Sequence, residues 1–284
     1  MNYETIAYET EGPIAWITLN RPEKLNAINP AMVEELKSAT DRAQINDEVR
    51  VIVLKGEGRA FSAGLDLEPR ITQDLSNEEE TEKLKSELQN CFDAIMRFWD
   101  SPKPTIAAVH TYCIGAGFEL ALACDITIAS QDCRFGSPEV LYGSGAIAML
   151  LPYLCGPKRA KEILLTGSDR ITTEQAADWG LVNRVVVNEK NLVKRARECA
   201  MDIARNDKLA VQVTKQAINT AMEIGHMREA MKHALDLEMA IETTETPTSR
   251  EFEEVLKTKG ITAALEWRED KLGHHGRVMR HKIG

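Results

Sequence analysis

Short β-branched apolar runs alternate with longer amphipathic stretches over the first two thirds of the chain, and amphipathic stretches alone continue to its end. Residues 14–19 (Ile-Ala-Trp-Ile-Thr-Leu) follow the turn pair Glu11-Gly12 and read as a strand, and residues 49–54 give a second such run. Between them lies a predicted helix. Asn29 is placed to cap it, Pro30 occupies its first position, and Met32, Val33, Leu36 and Ala39 recur at helical spacing. A longer helix follows, capped by Asn77 or Ser76, with Leu84, Leu88, Cys91, Phe92, Ile95 and Trp99 on one stripe and Pro102 and Pro104 at its end. The centre repeats the pattern with a strand at 105–109, a short helix at 116–123 and a strand at 126–129. After Val187 the helical patterns at 192–203, 209–222 and 227–241 carry little strand signal. The acidic, Thr-rich stretch 242–246 before Pro247 reads as a linker or a solvated interhelical loop. The alternation predicts an α/β core followed by a mostly helical final third.

Composition narrows the class. A chain of 284 residues holds one large domain, or a domain with a helical extension, and 43% hydrophobic residues without a long apolar run describe a soluble globular protein. The runs at 106–109 and 146–151 are too short to span a bilayer, so no membrane role is indicated. The first residues lack a basic segment followed by an apolar one. The six cysteines (Cys91, Cys113, Cys124, Cys133, Cys155, Cys199) form no Cys-x-x-Cys pair and sit mostly in apolar segments. Both observations predict a cytoplasmic protein with reduced thiols. A net charge of −9 opposes general nucleic-acid binding, which needs clustered Lys and Arg to neutralise phosphates. The locally basic tail (Lys271, Arg277, Arg280 and Lys282, with His274, His275 and His281) reads as a solvated terminus.

Several kinds of chemistry have no anchor in the chain. There is no Gly-x-x-x-x-Gly-Lys-Ser/Thr loop, Gly115-Ala116-Gly117 lacks the third glycine of a dinucleotide fingerprint, and no Gly-x-Ser-x-Gly elbow occurs. No Cys/His cluster has metal-ligand spacing, so no metal is expected. What remains is a strand, a small-residue turn and a helix, with Gly115, Ala116 and Gly117 at the helix start and Glu119 in its first turn. Unpaired N–H groups at such a terminus can hold an oxyanion. The same small residues also serve tight helix–strand packing, and a first-turn carboxylate is stabilised by the helix dipole without any catalytic duty. A second turn of this kind, Phe61-Ser62-Ala63-Gly64-Leu65-Asp66-Leu67, follows the strand at 49–54, and two such turns could share one oxygen.

Taken with Phe135-Gly136-Ser137-Pro138-Glu139, these segments resemble the enoyl-CoA hydratase/isomerase (crotonase) superfamily. The resemblance rests on Asn20-Arg21-Pro22 with Asn26-Ala27-Ile28-Asn29, the Ala60–Asp66 turn, and the run from Ile106 through Gly115 and Glu119 to Asp125. It extends through Phe135, Pro138 and Glu139 to Leu165-Thr166-Gly167, Ala176 and Trp179-Gly180-Leu181-Val182-Asn183. These motifs stand in family order from about Asn20 to Val187.

The resemblance implies a crotonase-like spiral of repeated β-β-α units with a C-terminal helical region. The core with its acyl-CoA site would occupy residues 1–200, and a helical region over 201–284 would serve oligomerisation into a homotrimer or homohexamer. Backbone N–H groups of Leu65 and Ala116 would form an oxyanion hole for the thioester carbonyl, and Glu119 and Glu139 would be the catalytic carboxylates. Hydration of a 2-enoyl thioester needs a polarised carbonyl, an activated water for C3 and a proton for C2. Two carboxyl groups facing one site cannot both ionise cheaply, which makes one an acid and the other a base. Lys24, Ala63, Gly64, Asp66, Leu67, Gly115 and Tyr142 would line the substrate. Lys24 and Arg21 could meet coenzyme A phosphates or be plain loop charges, and Asp66 could equally cap the following segment. Asp125 reads as structural.

Coenzyme A would be part of the substrate and no separate cofactor is implied. Hydratase is the leading reading because Glu119 is present; a 3-enoyl/2-enoyl isomerase needs chiefly the Glu139 position, and hydrolysis or ring chemistry on acyl-CoA are further alternatives. A non-catalytic RNA-binding relative would call for a basic stripe, which the chain lacks. Three features depart from the family pattern: Thr111 stands where Gly is usual, Ala116 replaces the middle Gly of the common triplet, and the segment after Glu139 lacks Pro-Gly-x-Gly-Gly.

Overall fold

The computed structural model of the chain describes residues 3–68 and 77–271. β1 (Ile6–Glu11) and β2 (Ile14–Leu19) form an antiparallel hairpin about Gly12. β3 (Val51–Gly56) and β4 (Thr105–Val109) then add in parallel to β2. β5 (Tyr112–Ile114) leaves this sheet, β6 (Ile126–Ser130) rejoins it beside β4, and β7 (Arg134–Gly136) returns to pair with β5. With β8 (Ile171–Thr172) and β9 (Arg184–Val186) the result is a six-stranded sheet of order β1-β2-β3-β4-β6-β9 and a small sheet of order β5-β7-β8. Twice, through β4 and β5 and again through β6 and β7, the chain visits the large sheet, then the small one, then a helix, which is the β-β-α repeat expected.

The helices are α1 (Pro30–Ile45), α2 (Glu78–Asp100), α3 (Ala116–Ala123), α4 (Leu151–Leu154), α5 (Gly156–Thr166), α6 (Thr173–Asp178), α7 (Glu189–Ala204), α8 (Lys208–Glu223), α9 (Met227–Glu242) and α10 (Pro247–Lys271). The expected caps hold: Asn29 Oδ1 accepts from Met32 N at 2.9 Å, and Asn77 Oδ1 from Glu79 N at 2.9 Å. Each satisfies an amide that the first helical turn leaves without a partner. Ser76 and the basic and histidine residues of the tail beyond 271 lie outside the described residues.

Both faces of the large sheet are covered, as a parallel sheet requires. Ala15, Ile17, Ile52, Leu54, Ala107 and Val109 belong to the core with α1, α2 and α3. On the opposite face Ile14, Trp16, Val51, Val53, Ile106, Ala108 and Ile128 meet Leu192, Ala196 and Ala200 of α7. Burying each large side chain of this set contributes about 1.5–3 kcal/mol. Residue 200 therefore lies within a helix that packs on the sheet. α8 is tied on by Lys215, whose buried ammonium meets Asp125 at 2.8 Å and the carbonyls of Phe98 and Lys103 at 3.3 Å. Asp125 also accepts from Thr105 N at 2.7 Å, so it joins the foot of β4 to α8 in a structural role.

Residues 243–246 connect α9 to α10. α10 is broken at Gly260 (φ 79°, ψ 176°), and residues from both halves, Phe252 and Leu256 before the break and Ala264 after it, cluster with Tyr142. All six cysteines are free thiols, four of them buried. No helix among the described residues is long and apolar enough to cross a membrane.

Candidate active site

The two glycine turns lie against one another. The segment after β3 runs beside β5: Phe61 N donates to His110 O at 3.1 Å, Ser62 N to Tyr112 O at 3.0 Å, and Ile114 N to Ser62 O at 3.1 Å. It then passes to the loop before α1, with Ile28 N donating to Gly64 O at 2.8 Å and Asp66 N to Ile28 O at 2.9 Å. The amides on either side of Leu65 are engaged, Gly64 N with Ser62 Oγ and Asp66 N with Ile28 O, while Leu65 N–H has no acceptor among the described residues. In the second turn Gly115 N donates to Gly136 O at 2.9 Å, while Ala116 N–H, the first of α3, likewise has no acceptor. A Cβ on Gly64 would stand 3.5 Å from Gly115 Cα and 3.6 Å from Ala116 N, so the two free amides belong to adjoining turns.

Gly115 is required here twice over. Its backbone (φ 55°, ψ −130°) lies in a region that L side chains avoid, and a Cβ would overlap Glu139 Oε1. Glu139 therefore lies directly over the start of α3. It opens a 3-10 turn (Glu139–Tyr142), and Ser137 Oγ donates to its Oε2 at 2.6 Å. Burial pushes its ionisation up to about 7, opposed by the Ser137 hydrogen bond and by Arg268, and reinforced by the charge of Glu242.

Glu119 sits one turn into α3 and is 5% exposed; its Oε2 has no hydrogen-bond partner among the described residues. Burial raises its ionisation well above the usual carboxylate range, with the nearby charges of Glu139 and Glu238 adding to the effect. The backbone amides of Ala148 and Ile147 oppose it. Two acids of raised ionisation and two unengaged amides thus converge at the ends of β5 and β7. Such a group can hold a developing negative charge on an oxygen and move protons beside it.

The remaining predicted residues divide. Ala63 and Gly64 are part of the first turn, with Ala63 N donating to Leu25 O at 3.0 Å. Leu67 and Tyr142 come together under α10, where Tyr142 stacks on Phe252 at 5.0 Å between centroids. Asp66 forms a half-buried ion pair with Arg21 at 2.9 Å, and Lys24 pairs with Glu68 at the surface. Sequence reasoning missed Glu238 and Glu242 on α9 and Arg268 on α10, all buried behind the site. A signal for the two acids was available: the buried stripe Met227, Met231, Leu235 continues at helical spacing onto Glu238 and Glu242, which places carboxyl groups at core positions.

Comparison with known proteins places the chain in a family. Residues 9–273 match the family model described as enoyl-CoA hydratase/isomerase. The mitochondrial enoyl-CoA hydratase of Pongo abelii is 35% identical over 234 residues, 78% of this chain and 76% of that protein. The crotonyl-CoA hydratase of Syntrophomonas wolfei is 34% identical over 275 residues, 95% of this chain and 98% of its own length. Among solved structures, an enoyl-CoA hydratase/isomerase from Xanthobacter autotrophicus superposes with a TM-score of 0.91 at 42% identity, covering 95% of this chain and 99% of that one. With the spiral of β-β-α units and the paired glycine turns, these matches over most of the length show that the chain belongs to the enoyl-CoA hydratase/isomerase family.

Proposed function

We propose that the protein is an enoyl-CoA hydratase that adds water reversibly across the 2,3 double bond of an acyl-CoA thioester. The observation that carries the reading is the meeting of Glu119 and Glu139, both of raised ionisation, beside the unengaged amides of Leu65 and Ala116. The thioester oxygen accepts from those two N–H groups, and the carbonyl draws electron density from the conjugated double bond. Glu119 takes a proton from water as the water oxygen bonds to C3, and Glu139 delivers a proton to C2. Coenzyme A enters with the substrate, and no further cofactor takes part. Lys24, exposed beside Glu68, exchanges that partner for a coenzyme A phosphate, and Leu67 and Tyr142 line the acyl side.

The helical region after α7 supports assembly as a trimer or a pair of trimers. Leu209, Val213, Ile218 and Ile224 in and after α8, and Leu237 and Ile241 on α9, are exposed in the single chain. Apolar side chains in that number call for a covering surface. Light scattering should give three or six times the chain mass; a monomer at micromolar concentration refutes the assembly.

The deciding experiment incubates the protein with linear, branched and cyclic 2-enoyl-CoA esters and identifies products by mass. Gain of one water on at least one ester is expected, with the matching free acids inert. Double-bond migration without hydration would make the protein an isomerase.

A further inference from the structure

Glu238 and Glu242 stand one turn apart on α9 with both side chains turned inward, 4% and 8% exposed. Like charges at this spacing repel even on an open helix face, and burial makes two carboxylates side by side costlier still. The pair is tied to one short piece of chain. Gly145 N donates to Glu238 Oε1 at 2.7 Å, and Ser144 Oγ donates to Glu242 Oε1 and lies 3.5 Å from Glu238 Oε1. The fit is close: a Cβ on Gly145 would overlap the Glu238 carboxyl group.

That piece of chain sits between the two candidate proton-transfer acids. Ser144 N donates to Glu139 O at 3.0 Å, which closes the turn that Glu139 opens. Two residues beyond Gly145 the chain presents Ile147 and Ala148, whose backbone amides act on Glu119.

We propose that Glu238 and Glu242 are positioning residues: together they clamp the Ser144–Gly145 turn, and through it they set Glu139 on one side and the Ile147 and Ala148 amides facing Glu119 on the other. The inference rests on the reading of Glu119 and Glu139 as the groups that move protons. Ionisable groups reach this cluster from every side. Glu139 comes from its 3-10 turn and Glu119 from α3, with Cys91 of α2 facing Glu119 and Arg268 of α10 facing Glu139. Arg268 is itself engaged by Asp169 at 3.2 Å and Glu269 at 2.9 Å. Burial and the charge of Glu242 raise Glu238 to about 8, so at neutral pH Glu238 holds a proton and donates it to Glu242. As pH rises through that value Glu238 loses the proton it donates to Glu242, and the clamp weakens.

The test follows crotonyl-CoA hydration by the full-length protein from mildly acidic to alkaline pH, comparing wild type with Glu238→Ala, Glu238→Gln and Glu242→Ala. Asp236→Asn, an exposed acid on the same helix, controls for the loss of charge. Glu119→Gln and Glu139→Gln are measured alongside. Loss of the clamp should lower kcat about tenfold in both alanine variants with KM within about twofold, since misplacing a reacting group acts on the chemical step. Glu238→Gln keeps an acceptor for Gly145 N–H and a donor for Glu242, so it should recover most of that loss. It should also remove the second step of the alkaline fall in kcat, near 8 and above the fall that Glu139 itself brings near 7, which a purely structural residue would not do.

Wild-type kcat and pH profile in Glu238→Ala, or a Glu238→Gln variant as impaired as the alanine one, would overturn the inference while Glu119→Gln and Glu139→Gln stay strongly impaired. Should the alanine variants fail to fold, the profile of Glu238→Gln decides alone, and a step near 8 unchanged from wild type counts against the clamp. Full turnover in Glu119→Gln and Glu139→Gln instead overturns the proton-transfer reading itself, and the inference with it.

Discussion

Acidic side chains meet two different fates in this molecule. In the loop region formed by residues 20–28 and 64–68, two acids are held by bases: Asp66 lies 2.9 Å from Arg21, which also donates to Ala27 O, and Glu68 contacts Lys24. Behind the glycine turns, Glu119, Glu139, Glu238 and Glu242 crowd together, and Arg268, the cation that acts on Glu139, is shared with Asp169 and Glu269. A cation beside a carboxylate keeps it charged, so a paired acid is an anchor. Burial without a dedicated cation lifts the ionisation of Glu139 and Glu238 to about 7 and about 8, the range in which a group both gives and takes protons near neutral pH. The contrast gives the loop charged anchors and the interior carboxyl groups able to hold and release protons near neutral pH.

The largest effects that test this contrast fall on the interior. Glu119→Gln and Glu139→Gln should each lower kcat by about 10²-fold or more, with coenzyme A affinity nearly intact, because the lost interactions belong to the transition state. The double variant should lose little beyond the worse single one, since hydration needs both groups. In an isomerase Glu139→Gln alone would abolish turnover and Glu119→Gln would be mild. Steady-state kinetics with the best ester of the panel separates these outcomes.

The same acids make stability depend on pH in a direction that paired carboxylates do not share. Glu139 ionises near 4.5 when unfolded and at about 7 when folded, so between those values the folded state holds a proton that the unfolded state has released. The sign follows: this stabilisation is fully present below 4.5 and is lost as pH rises through about 7. At about 1.4 kcal/mol per unit, Glu139 alone accounts for about 3 kcal/mol across that window. Urea denaturation should show stability falling from mildly acidic to neutral pH, less steeply in Glu139→Gln. An unchanged slope in that variant would remove Glu139 from the titration.

For the loop region the expectation is a cost in stability with little cost in chemistry. Asp66→Asn leaves the half-enclosed Arg21 guanidinium without its carboxylate and should cost about 2 kcal/mol. Lys24→Ala removes an exposed pair and should cost below about 1 kcal/mol. If Lys24 exchanges Glu68 for a phosphate, its alanine variant raises KM severalfold at constant kcat. A fall in kcat for either variant would blur the division between the two regions.

What the sequence makes readable follows the range of the contacts. Gly64, Gly115 and Glu119 sit in short segments where a strand, a turn and a helix cap are encoded by adjacent residues, so the converging turns and the first carboxylate could be named in advance. The same holds for Asn29 with Pro30, and for the buried runs of β2 and β4. Glu238 and Glu242 take their meaning from Gly145 and Ser144, 93 and 98 residues away, and nothing local marks them except acids occupying an apolar stripe. β5, β7, β8 and β9 are two or three residues long, too short for a periodic pattern. α10 was hidden by Pro247, which reads as a helix stop yet opens a helix, and by the break at Gly260.

The smallest effect concerns the turn that feeds both regions. Thr111 connects β4 to β5 with φ 52°, and the turn is tight, with Tyr112 N 2.6 Å from His110 O. A β-branched residue in the left-handed region costs about 1–2 kcal/mol, because its Cβ crowds the following carbonyl. Thr111 Oγ1 recovers little of this through a 3.3 Å hydrogen bond to Asp132 at the exposed surface. Thr111→Gly relieves the strain but frees the unfolded chain, which returns about 0.4–1 kcal/mol. The net gain should stay below about 1 kcal/mol, a rise in Tm of about 2 °C for a chain of this length. Because Arg134 N donates to Thr111 O at 2.9 Å at the start of β7, a relaxed turn should hold that contact and leave kcat as it was. Calorimetry and kinetics on the one variant check both halves. A lower Tm would mean that the Asp132 contact outweighs the strain, and a changed kcat would mean that the turn's strain reaches Glu139 through β7.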